Sequence, residues 1–166
     1  MLKRVLLAVF LLLAGAAAGI LLHTLLTSGD TMFAGKRPSY LGVHDGKLAP
    51  CPRTPNCVSS QADPRDKTHY VAPIRFRGTP VQAMAAVRAA IERMPRATVV
   101  VHDPDYLYAE FRSRLMGFVD DVEFTYDDKV GVIQVRSASR LGRSDFGVNR
   151  RRIEAIRALI RGDLSV

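Results

Sequence analysis

Asp120, Asp121 and Glu123 bring three carboxylates into four consecutive residues, and the chain's two cysteines, Cys51 and Cys57, fall between His44 and His69. Two neighbouring carboxylates can share general acid and base roles when their surroundings separate their pKa values. Successive side chains of a strand alternate, so Asp121 and Glu123 share one face and Asp120 takes the other. That spacing permits a hydrolytic pair without requiring one. For the cysteines, three chemistries stay open. A disulfide is the default outside the cytoplasm. A zinc site with His44 and His69 has the ligand types but not the spacing of a standard finger. Cys57 with His69 makes a nucleophile and base. The spacing is not CxxC, and no GxSxG, HExxH, P-loop or dinucleotide fingerprint occurs, so neither a cofactor nor a resident metal is expected.

A second group of polar residues lies near the C-terminus. Ile153, Ile156 and Ile160 recur at helical spacing. Four-residue steps back from Ile153 reach Asn149 and Asp145, and Arg152 borders the same stripe. Ser144 or Asp145 caps this helix, and Gly162 suits its end. Two readings compete. In one, Asp145 and Asn149 satisfy backbone amides while Arg152 pairs with Asp120, Asp121 or Glu123. In the other, Arg136, Ser139, Arg140, Asp145, Asn149 and Arg152, with Asp121 and Glu123 nearby, form a receptor for an anionic or polar ligand. Arg150, Arg151, Arg157 and Arg161 are expected on the solvated side.

The elements that must position these groups read β-α-β-β-β-β-α. A strand is expected over His69–Phe76, at an edge because of Pro73. Thr79-Pro80 opens a helix that Pro95 closes. Strands follow over 97–102 and 106–113, then DVEFTY and VGVIQVRSASR, joined by short turns. The fold class is therefore α+β, a mostly antiparallel sheet with two helices on one face. Leu107, Ala109, Phe111, Val122, Phe124, Ile133 and Val135 are expected under the helices. Tyr106, Tyr108, Glu110, Glu123 and Arg136 are among those on the other face, expected to be solvated, or else a recognition surface. Glu123 and Arg136 are placed to meet there.

The segments CPRTPNCVSSQA, FVDDVEF and VRSASRLGRSDFGVNRRRIEAIR, in this order, resemble the DUF1499 family over roughly Leu41 to Leu159. The resemblance implies a compact α+β domain behind an N-terminal hydrophobic segment. It carries no activity or catalytic residues to transfer.

The uncharged apolar run Val5–Leu26 would measure about 33 Å as a helix, matching a hydrocarbon core of roughly 30 Å. A cleavable signal ending near Ala16-Ala17-Ala18 is the rival, but it would leave an apolar new terminus. With Lys3 and Arg4 on the cytoplasmic side, a single-pass anchor in the inner (plasma) membrane places the rest on the periplasmic side. Gly15 and Gly19 offer a face for a homodimer of anchors. The expected division is an anchor over 1–26, a linker over 27–46 and a globular domain over 47–166.

The net charge is +8; setting aside Lys3 and Arg4 leaves about +6. Such an excess suits anionic headgroups or envelope polymers. Nucleic acid is not expected, because no recognition motif occurs and the arginines are not interleaved with aromatics. The sequence thus reads as a binding or accessory module of the cell envelope, contacting an envelope protein or a small anion. The alternative is a hydrolase-like envelope enzyme using the Asp121/Glu123 region or Cys57/His69.

Overall fold

The structure is a computed structural model and describes residues 13–20 and 33–163. Its strands are β1 (Cys57–Ser59), β2 (Ile74–Arg75), β3 (Ala97–His102), β4 (Tyr106–Arg112), β5 (Val119–Asp127) and β6 (Val132–Ser139). Its two long helices are α1 (Pro80–Glu92) and α2 (Val148–Asp163). The strands form one six-stranded antiparallel sheet in the order β1-β6-β5-β4-β3, with β2 also on β6. The expected α+β class and antiparallel sheet are present.

Alternation explains the core. Leu107, Ala109, Phe111, Val122, Phe124, Ile133 and Val135 all lie buried on one face. They pack beneath Met84, Val87 and Ile91 of α1 and Ile153, Ile156 and Ile160 of α2. Helix α1 starts where Thr79-Pro80 places it. The Thr79 hydroxyl accepts from the Gln82 amide, and the Gln82 side chain accepts from the Thr79 amide. This reciprocal cap satisfies two amides that a helix start otherwise leaves open.

Four local expectations need correction. The strand expected over His69–Phe76 shrinks to Ile74–Arg75. Pro73 has no amide to donate, and the Ala72 and Pro73 carbonyls accept from Arg157 instead of a neighbouring strand. Arg157 is therefore buried rather than solvated, and Arg150 similarly donates to the Tyr70 carbonyl at 2.6 Å. Helix α2 also runs through Gly162 to Asp163 rather than stopping there. Finally, Cys57–Ser59 pairs with β6 as β1, an element too short to show a period.

The largest difference concerns the other sheet face. It is covered rather than solvated: Tyr108, Glu110, Asp121, Glu123 and Arg136 are all buried. Residues 33–46, which lack periodicity and read as linker, lie across it. Phe33 stacks on Phe118 at 5.1 Å between centroids. Arg37 reaches Glu110, the Gly42 amide donates to Glu123 at 2.7 Å, and Tyr40 covers Arg136. Gly35 is needed at the crossing. Its φ is +67°, and a Cβ there would stand 3.0 Å from Cβ of Arg140.

By contact the chain divides into two units, Met1–Thr31 and Met32–Val166. In the first, residues 13–20 are helical, and neither Gly15 nor Gly19 has a neighbour within 4 Å of a Cβ position. Among the described residues no helix is long and apolar enough to cross a membrane. Most of the run Val5–Leu26, read above as the anchor, lies outside the described residues.

Candidate functional site

The sequence's polar candidates separate onto the two faces of the sheet. On the covered face Arg140 is the hub. Its Nε donates to both oxygens of Asp121 at 3.0 Å, and its Nη2 donates to Glu110 at 2.5 Å and the Tyr108 hydroxyl at 2.9 Å. Tyr108 in turn donates to Asp121 at 2.5 Å, and Arg37 adds a bond to Glu110 at 2.6 Å.

Buried charge survives only when paired, and here two carboxylates meet two guanidiniums. Burial alone would raise the Glu110 pKa; hydrogen bonds from Arg140, Arg37 and Tyr108 outweigh it and bring the pKa down to about 2. Burial opposes the charge on Arg140 too, yet its bonds to Asp121 and Glu110 raise its pKa. Burial, followed by the neighbouring carboxylates, lifts both the Tyr106 and Tyr108 phenols far above their ordinary range. Both tyrosines therefore act as fixed hydrogen-bond donors.

Glu123 sits beside this hub with its own partners. It accepts from Arg136 at 3.2 Å, the Tyr106 hydroxyl at 2.9 Å and the Gly42 amide. The sequence placed Glu123 and Arg136 together, and they do pair. Asp121 and Glu123, however, are each locked by a guanidinium and a phenol. Both are buried among these partners, so the geometry shows no open approach for a substrate to the pair.

Under the helices, Asp145 caps α2. Its carboxylate accepts from the Gly147 amide at 3.0 Å and the Asn149 amide at 2.7 Å. Asn149 is fully buried, donating to the Asn56 carbonyl and the Ser139 hydroxyl at 3.0 Å each. Its oxygen accepts from Ser137 and from Arg152. Arg152 ends on Asp120 and lies over the Phe111 ring at 4.7 Å. Asp145, Asn149 and Arg152 do converge, but they tie the 54–56 loop and β6 to α2. An anion receptor shared by Arg140 and Arg152 is excluded: the two point to opposite faces, and each already holds a carboxylate.

Cys51 and Cys57 form a disulfide. This removes the thiol needed for a Cys57–His69 nucleophile and the thiolates needed for a zinc site. Among the described residues no group of three His, Cys, Asp or Glu side chains could hold a metal ion.

A cavity of ≈ 640 Å³ opens beside this disulfide, with Tyr40, His44, Lys47, Ser59, Gln61 and His69 in its wall. Ser59 Oγ accepts from the Gln61 amide, and the Gln61 side chain accepts from the Leu48 amide. His69 Nδ1 lies 2.7 Å from Asp66, and its Nε2 lies 3.3 Å from the Thr54 carbonyl. Both ring nitrogens thus face protein acceptors, so the imidazole is a brace rather than a base aimed at a substrate.

Arg136 is not in the cavity wall itself but neighbours two residues that are, Ser59 and Tyr40. Ser59 and Arg136 are Cα partners across β1 and β6, so their side chains share a face. Tyr40 belongs both to the cavity wall and to the cover over the guanidinium, 5.4 Å from its ring centroid. Arg136 is 1% exposed, yet its Nε and Nη2 have no hydrogen-bond partner. Buried guanidinium nitrogens in this state attract an acceptor. The sequence singled out Arg136 but missed the cavity, because Tyr40, His44 and Lys47 come from the stretch read as linker and its boundary.

Residues 47–160 match the family described as a protein of unknown function, DUF1499. The chain belongs to this family. No curated protein matches it. The matched span holds every described strand, α1, all but the last three residues of α2, the disulfide and the cavity wall from Lys47 onward. In this DUF1499 domain, Arg37, Tyr40, Gly42 and His44 lie ahead of that span and complete the covered face and the cavity.

Proposed function

We propose that this DUF1499 protein is a membrane-tethered binding module that takes a small anionic ligand in the cavity beside Arg136. One observation carries this reading: a guanidinium almost sealed from water has two nitrogens without a hydrogen-bond partner, and Tyr40, which covers it, also lines a cavity with Lys47, His44 and His69 in its wall. A carboxylate or phosphate group offers the paired acceptors that a guanidinium fork fits. Tyr40 both covers the guanidinium and lines the cavity, so a shift of its ring would bring the two together. The apolar run Val5–Leu26 behind Lys3 and Arg4 supports a single-pass anchor with the domain on the periplasmic side. Gly15 and Gly19 would allow two such anchors to pack closely.

The test is recovery of the full chain from native membranes, followed by mass spectrometry of the small molecules it retains. The expected result is an anionic ligand held by the native protein and lost from Lys47→Ala at unchanged melting temperature. An empty native protein that is also unshifted by a panel of carboxylates and phosphate esters would remove the reading.

A further inference from the structure

The sheet has two rims of different character. At one lie the β4–β5 turn (residues 113–118), the loop after β6 (residues 140–147) and the start of α2; the Arg140 amide bonds the Val119 carbonyl and holds the first two together. Large apolar side chains are exposed along this rim: Leu115 at 93%, Phe146 at 87%, and Met116, Leu141 and Val148 less so. Arg96, Arg112, Arg114 and Arg143 are exposed among them, Arg112 also lying 3.8 Å from the Glu110 carboxylate. Asp120 and Asp145, the acidic groups nearby, are already held by Arg152 and by the α2 cap. At the opposite rim the β3–β4 and β5–β6 turns and the β2 segment beside them expose Asp103, Asp105 and Asp128 together with Lys129, Arg75 and Arg77, so charge there is mixed. Val130 is the one large exposed apolar side chain of these segments among the described residues.

The chain also enters the domain at the apolar, basic rim. Phe33 stacks on Phe118, and Gly35 passes against Arg140 and Leu141. From Leu26, the end of the apolar run, to Phe33 the chain reaches about 25 Å at full stretch. Nine-residue β5 alone covers about 30 Å from this rim to the other. On the tether proposed above, a lead this short keeps the point where the chain enters the domain, and so this rim, within reach of the bilayer.

We infer that this rim docks on an anionic lipid surface, with Leu115 and Phe146 entering the headgroup region and the arginines meeting lipid phosphates. The inference rests on the tethering in the proposed function. Apolar side chains supply the insertion, and each basic side chain near an anionic leaflet favours contact several-fold. A single exposed Leu is ordinary; a cluster interleaved with arginines at the point of attachment is the pattern of an interfacial surface.

The native sequence contains no tryptophan, so Leu115→Trp, Phe146→Trp and Val130→Trp each give one fluorescent reporter in the full chain. Each is reconstituted into vesicles of phosphatidylcholine with phosphatidylglycerol, some carrying bromine-labelled acyl chains. The expected result is at least twofold quenching at positions 115 and 146 and little at 130, with the contrast reduced when phosphatidylglycerol is omitted. Weak, equal quenching at all three positions in protein that floats with the vesicles overturns the docking and leaves the tether standing. A blue shift at 115 that grows with protein-to-lipid ratio, without quenching, assigns the rim to a second copy and also overturns it. Protein washed off the vesicles by alkali defeats the tether, and the docking with it.

Discussion

The guanidinium of Arg136 stands 3.2 Å from the Glu123 carboxylate, and the two side chains are 1% and 0% exposed. They are Cα partners on β5 and β6. Removing one partner of so deeply buried a pair leaves the other charge without compensation, at a cost of about 3–5 kcal/mol. Arg136→Met is therefore expected to lower the melting temperature sharply. The double variant Arg136→Met/Glu123→Leu should recover part of that loss, the rest reflecting the Tyr106 hydroxyl and Gly42 amide left without their acceptor. Denaturant titration of the two variants checks this; equal stabilities would show that the pair is not coupled.

Glu110 makes the protein sensitive to acid. Its pKa falls from the ordinary 4.5 to about 2, so the folded state binds this proton more weakly than the unfolded chain does. The stability it contributes is fully present above about pH 4.5 and is lost as the pH falls toward 2. Arg37→Ala removes one of the bonds that hold the pKa down, so acid unfolding should begin at higher pH. At neutral pH the same change should cost under about 1 kcal/mol, because the Arg37 side chain is half exposed. A pH series of thermal melts separates the two effects.

Asp145 and Asn149 act on the same helix start in different ways. Asp145→Ala removes a cap and should cost about 1 kcal/mol. Asn149→Ala strips a buried amide with four side-chain or carbonyl bonds. It leaves the Asn56 carbonyl and Arg152 short of partners, so about 1–3 kcal/mol or more is expected. Chemical denaturation that ranks Asp145→Ala as the more damaging would contradict this geometry.

The disulfide encloses a short loop, with a sequence separation of 6. On the chain-entropy estimate it should stabilise by roughly 2.4 kcal/mol. Intact mass should rise by about two daltons on reduction, and the melting temperature should fall. Since Cys57 opens β1 at 1% exposure and Cys51 stands in the cavity wall, reduction should also weaken any ligand that the cavity holds.

Much of the sheet was legible because β4, β5 and β6 alternate apolar and polar residues. The same period separated Asp120 from Asp121, and the two indeed pair on opposite faces with Arg152 and Arg140. The stretch before Lys47 was not legible. It holds the sheet through one backbone amide at Gly42 and isolated side chains at Arg37 and Tyr40, so it needs no hydrophobic repeat. Arg150 and Arg157 hid for a related reason, since their partners are carbonyls some eighty residues away. A signal was nonetheless present. Tyr106, Tyr108 and Glu110 on one strand face Glu123 and Asp121 on the next, with Arg136 and Arg140 on and just after the strand beyond, and so many matched donors and acceptors belong to an interior.

The segment across the polar face also sets where this protein can be cut. Family membership begins at Lys47, but a protein shortened to that residue would lose Arg37, Tyr40 and the Gly42 amide together. Water would then reach Glu110, Glu123 and Arg136, and the tyrosine hydroxyls would have new company. The unit that folds thus starts upstream of the unit that is recognised by sequence. A shortened form judged inactive or unstable would be reporting a missing wall, not a missing catalyst.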